Sequence, residues 1–185
     1  MLKYPQMEEI ERQLLEVPGL VDSYERRDSD FVSRLVGWLV DLERVFQHNR
    51  LPEAGAIAVK RAMMVSAGRG VVPEGVMVQG RMTRRKLKAA SAIYALRSAA
   101  GLAASSIEAD RERHRKAREM VCRIVALAVA KQLRGFGRGN RDCSDADRWN
   151  SLLNDPDTQG GAIQLQGLVG HTDALILLDQ GASGA

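Results

Sequence analysis

From Thr83 to Leu133 the chain reads TRRKLKAASAIYALRSAAGLAASSIEADRERHRKAREMVCRIVALAVAKQL, a stretch without a proline. Leu87, Ala90, Ile93 and Tyr94 fall on one side of a helix drawn at 100° per residue, and charged residues fall on the other. No other part of the sequence is so long and so regular, and it sets the fold class as all-α. Gly101, flanked by alanines and followed by Ser105-Ser106, leaves the choice between one kinked helix and two. Between Met120 and Leu133 apolar residues lie nearly all round, at Val121, Ile124, Val125, Leu127 and Val129. That pattern predicts a central, buried helix.

Toward the N-terminus the helical period continues. Met7, Ile10, Leu14 and Val17 predict a helix over residues 6–17 that Pro18-Gly19 stops. Asp28-Ser29-Asp30 offers an N-terminal cap for a second helix, whose stripe is Phe31, Leu35, Trp38, Leu42 and Val45. Pro52 fits the first turn of a third helix, which Gly68 ends. Residues 70–80 read as a short β-hairpin or an ordered loop. Beyond Arg134 the composition turns to glycine and turn residues, with one apolar run, Ala174–Leu178, suited to docking. The expectation is an all-α fold of about five helices in the whole chain, with the helical bundle over 1–134 and a flexible basic connector and loop-rich docking tail over 135–185.

Composition agrees. The chain has 185 residues, 45% of them hydrophobic but only 4% aromatic, so its core must be built from Leu, Val, Ile and Ala. Such a core suits packed helices better than a β-sandwich. Two cysteines, Cys122 and Cys143, supply neither a disulfide framework nor a structural zinc site. Cys122 is expected to be a small buried hydrophobe and Cys143 an exposed thiol. The N-terminal residues carry no apolar signal segment and no run is long enough to span a membrane, so a cytoplasmic protein is expected.

The net charge of +4 conceals a division along the chain. Residues 1–57 hold 7 basic and 11 acidic groups, whereas residues 81–118 hold 11 basic and 3 acidic, a local net of +8. Arg81, Arg84, Arg85 and Lys88 fall within about a 100° arc of one helix face. Arg111, Arg115 and Arg118 form a second stripe, flanked by His114 and Lys116. Arg134 and Arg138 surround Phe136 in the Arg-Gly-Phe-Gly-Arg-Gly segment, residues 134–139, and Arg141 follows just beyond it. Arginine outnumbers lysine, and its planar fork suits bidentate contact with phosphate. The same segment reads either as a connector capped by Gly135 or as a flexible arm whose Phe136 stacks on a base.

The chemistry of catalysis is thinly represented. The glycines at 135, 137 and 139 follow a helix, whereas a dinucleotide fingerprint follows a strand. His48, His114 and His171 have no ligand spacing among themselves, and Arg44 with His48 is explained by a helix terminus. Asp142, Asp145 and Asp147, like Asp155 and Asp157, fit caps and turns better than a cation loop. Trp149 is expected to anchor the tail. No catalytic residue, metal or cofactor is assigned.

The expected function is therefore that of a non-catalytic helical subunit that binds RNA or single-stranded DNA through backbone phosphates within a larger ribonucleoprotein assembly. The phosphate contacts are Arg84, Arg85, Lys88, Arg111, Arg115 and Arg118, with Arg81, Arg138 and Arg141 as outer members. Small helical subunits of ribonucleoprotein machines, those of CRISPR surveillance complexes included, have this general character, though no motif specific to them occurs here. The alternative is a scaffold or adaptor whose basic middle pairs with acidic residues of another copy, such as Glu8, Glu9, Glu11 and Glu16. Other protein subunits are expected partners in either case, and a membrane in neither. A small helical enzyme would instead need His48 or His114 clustered with a carboxylate.

Overall fold

A computed structural model describes residues 2–72, 74–76, 83–136 and 143–183. Eight helices and no strand occur among the described residues: α1 (Tyr4–Leu15), α2 (Val17–Glu25), α3 (Phe31–His48), α4 (Ala54–Gly68), α5 (Arg84–Ala130), α6 (Asp145–Asn154), α7 (Pro156–Val169) and α8 (His171–Ser183). The all-α class holds, but the count of about five is too low and no hairpin forms over the described part of 70–80. Residues 77–80, on which its second strand would fall, lie outside the described residues.

Each miscount has a local cause. Pro18 sits in the first turn of α2, where its missing N–H needs no partner, so Pro18-Gly19 opens a helix instead of closing one. Gly101 lies inside an unbroken α5. The supposed tail contains three helices, two of them with strong N-terminal signals. Ser144 Oγ accepts from Asp147 N at 3.2 Å while Asp147 Oδ2 accepts from Ser144 N at 3.3 Å, a reciprocal capping box. At the next helix start the Asp155 carboxylate accepts from the backbone of Asp157 and Thr158, ahead of Pro156.

Four helices end alike. In α2, α3, α4 and α5 the residue two past the helix has positive φ: Arg27, Arg50, Gly70 and Gln132. In each the next residue's N–H returns to the third-last helical carbonyl, as in Val71 N to Ser66 O at 3.1 Å. This double closure satisfies carbonyls that a helix end would otherwise leave bare.

The described residues form two compact units, Pro5–Glu108 and Met1–Tyr4 together with Ala109–Ala185. In the first, α3 packs on α4 and α2. Phe31, Leu35, Trp38, Leu39, Leu42 and Phe46 supply the buried face of α3. The stripe continues at Phe46 and not at Val45, because the four-residue step keeps better register with a 3.6-residue turn. In the second, α6, α7 and α8 pack on one another, and Val121, Ile124, Val125 and Ala128 of α5 are buried. The other face of that segment is open, with Cys122, Leu127 and Val129 exposed. The segment is amphipathic, not buried all round, and Cys122 is not a core residue. Cys143 is half-buried. Trp149 is buried edge-on to His171, with ring centroids 5.4 Å apart, and Ala174, Leu177 and Leu178 are also buried. The division expected after Arg134 does not coincide with this one.

Candidate nucleic-acid interface

The start of α5 is a run of cations hung on one apolar anchor. Leu87 is buried, while Arg84, Arg85, Lys86 and Lys88 around it are exposed. Thr83 opens the helix by accepting from Lys86 N through Oγ1 at 3.3 Å. No acidic residue stands in the first turn. Helix N-termini carry partial positive charge, so cations there are unfavourable by about 0.3–1 kcal/mol each. Arg84 and Lys88, one turn apart, add like-charge repulsion. No carboxylate among the described residues bonds to any of these four side chains.

The end of α4 lies beside this run. Gly70 takes φ +86°, and a methyl group built on its Cα would lie 3.5 Å from Arg84 Nε. The Arg84 side chain therefore passes over the turn that closes α4, next to exposed Arg69. Val71 and Val72 follow the turn at 58% and 51% exposure, and Val65 in the last turns of α4 is 55% exposed. Lys60 places its ammonium 5.0 Å from the Tyr94 ring centroid, and Arg61 is tied to Glu43 at 2.9 Å. The cations without carboxylate partners among the described residues therefore extend to Arg69 and Lys86, neither of which the sequence pattern singles out as a phosphate contact. A signal for Lys86 was present: basic residues where a helix start ordinarily carries acids.

The second stripe differs. Arg115 donates through Nε and Nη2 to Glu112 at 2.8 and 2.7 Å and through Nη1 to Glu119. Lys116 lies 3.5 Å from the same Glu112. Hydrogen bonding from Arg115 lowers the Glu112 carboxyl to about 2, and the same bond raises the guanidinium pKa. Arg118 donates to Tyr4 Oη at 2.7 Å and covers the Tyr4 ring. Arg113 pairs with Asp110, and Arg111 also has an interaction partner. Arg113, Arg115 and Lys116 thus form the ordinary kind of charge run, a solvated face balanced by its own carboxylates, while Arg118 is held by Tyr4.

The six expected contacts therefore divide: Arg84, Arg85 and Lys88 belong to the unit Pro5–Glu108, and Arg111, Arg115 and Arg118 to the other. Arg81, Arg138 and Arg141 lie outside the described residues. Phe136, expected as a stacking platform in one reading, is 3% exposed and is a core residue.

A histidine–carboxylate cluster does exist. His114 Nε2 lies 3.7 Å from Asp173 Oδ2, with both residues buried. Asp173 accepts from Tyr4 N at 2.8 Å and Asp110 from Leu2 N at 3.0 Å, so these carboxylates hold the N-terminal backbone. His48 lines an open hollow of about 300 Å3 with Glu9, Arg12, Gln13 and Arg44. No group of three ligating side chains among the described residues could hold a metal ion, and none of the described helices is long and apolar enough to cross a membrane. No protein-family model, curated protein or solved structure matches the chain.

Proposed function

We propose that the chain is a non-catalytic helical subunit that binds the backbone of RNA or single-stranded DNA, largely without regard to sequence, inside a larger ribonucleoprotein assembly. One observation carries the reading. Arg84, Arg85, Lys86 and Lys88 crowd a helix start with no acid in its first turn and no carboxylate partner among the described residues. A sequence that breaks a local electrostatic rule at a cost to its own stability usually does so for a ligand. Phosphates would neutralise these charges and gain from the helix end as well. Arg111, Arg115 and Arg118 take a lesser part, because a phosphate must first displace Glu112 and Glu119 from Arg115 and Tyr4 from Arg118.

The test compares two triple variants. R84Q/R85Q/K88Q is expected to lower affinity similarly for all sequences and to reduce the slope of log affinity against log salt by about one unit for each phosphate no longer bound. R111Q/R115Q/R118Q is expected to change that slope less. Equal slopes for both variants and the parent chain would exclude the assignment.

A second reading, a protein–protein scaffold, draws on a different observation. Leu15 at the end of α1 is 79% exposed, beside an open groove of about 420 Å3 that Gly19, Leu20, Gly37 and Trp38 help to line. Glu16 and Asp41 stand at this groove with Arg34. Self-association that persists without nucleic acid and weakens with added salt would favour this reading.

A further inference from the structure

The exposed valines beside the cations have no role in backbone binding alone. Val71 and Val72 leave the closing turn of α4 more than half exposed, with Val65 exposed on the helix before them. The turn type places the residue after its glycine alongside the helix's last turns, which brings Val71 toward Val65. Cations flank the pair. Arg69 precedes it by two residues, and the Arg84 side chain crosses Gly70 immediately before it. The result is an aliphatic surface beside charges that lack carboxylate partners among the described residues. Scattered single apolar residues on a surface need no explanation, but consecutive exposed valines directly beside such charges do.

We propose that Val71 and Val72 are base-contacting residues, and that the site takes single-stranded nucleic acid with unstacked base faces on the valines and phosphates on Arg84, Arg85, Lys88 and Arg69. The inference rests on the backbone-binding reading and adds the strandedness of the ligand. The charge of the flanking side chains calls for a polyanion. In a duplex the base faces are stacked on one another, and a valine at the level of the phosphates meets sugar edges, charge and water but no base face. A single strand can turn its bases outward onto a protein surface. Covering the two valines with base faces removes more apolar area from water than the sugar edges of a duplex backbone can, and free phosphate removes none.

The experiment uses the full chain, freed of co-purified nucleic acid, with fluorescent single-stranded RNA, single-stranded DNA and duplex DNA of matched length. V71S/V72S changes only exposed side chains, and its thermal midpoint checks that the fold is kept. The expected result is a loss of about tenfold in single-strand affinity with an unchanged salt slope. Duplex affinity is expected to be weaker in the parent chain and unaffected by the substitution. If V71S/V72S binds single strands as the parent does while R84Q/R85Q/K88Q binds them weakly, the valine contact is wrong and backbone binding stands. If the parent binds no nucleic acid at low salt, both fail. Vesicles of phosphatidylserine in phosphatidylcholine form the last arm. Their capture of a chain that ignores nucleic acid would reassign the patch to an anionic lipid surface and overturn the inference.

Discussion

Gly181 and Gly101 show how differently one residue type acts in two helices. A methyl group on Gly181 would come within 2.6 Å of Val121 Cγ1, whereas Gly101 has no atom within 4 Å of that position. Gly181→Ala must push Val121 aside and is expected to cost about 1–3 kcal/mol by urea midpoint. Gly101→Ala gains the ordinary helix preference for alanine and is expected to stabilise by about 1 kcal/mol. Neither sign could be read from the sequence, because both depend on what lies opposite. Phe136 and Cys122 carry the same lesson. An aromatic between glycines looks alike as a base platform or a core plug, and a cysteine among valines looks buried although it sits on the open side of α5. Depressed carboxyl groups act at this scale too. A hydrogen bond from Lys131 lowers Asp155, and one from Ser144 lowers Asp147. Groups whose folded pKa is lowered contribute stability that is complete above the unfolded value and is lost as pH falls through the folded one. The urea midpoint is therefore expected to fall on acidification below about pH 4. D155N should flatten that fall, since asparagine can still cap α7 but carries no charge for Lys131.

Helix starts carried readable signals that the reading of 135–185 as a tail left unused, and helix ends carried few. The capping box at Ser144 and the cap at Asp155 follow from local chemistry: Asp147 and Asp155 accept from the backbone at the helix starts, whereas Asp142 lies outside the described residues. The closing turns were harder to foresee. Only one of the four positive-φ residues that follow α2, α3, α4 and α5 is glycine, so three ends carry no glycine signal. Arg50→Gly is expected to raise stability by about 1 kcal/mol, because a side chain in that conformation is strained and glycine is not. The start of α5 makes a sharper prediction, in which stability and binding move oppositely. R84E/R85E removes two cations from a helix start, supplies acids there and sets a carboxylate four residues ahead of Lys88. Each change suits the helix. The thermal midpoint is expected to rise while nucleic-acid affinity falls. A variant that loses both would mean that the cations serve the fold.

At the scale of the molecule, the all-α class was legible because period and composition agreed over most of the chain. The division into units was not. It falls between Glu108 and Ala109, inside α5, where no glycine or proline marks it, although the uncharged stretch 98–107 gives way there to the charge-rich stretch 108–119. The glycine-rich stretch after Arg134 attracted the expected boundary instead. Charge was legible as a sum over residues 81–118 but not in its pairing. Carboxylates three or four residues away claim Arg113 and Arg115, and Tyr4, far away in sequence, claims Arg118. The proposed nucleic-acid binding is therefore assigned chiefly to the cations at the start of α5. The most direct measurement is the affinity of the full chain for single-stranded RNA by fluorescence anisotropy across a salt series. A steep linear fall of log affinity with log salt, alike for unrelated sequences and shallower in R84Q/R85Q/K88Q, is the predicted result. No binding at low salt, or binding whose salt slope that variant leaves unchanged, would contradict it.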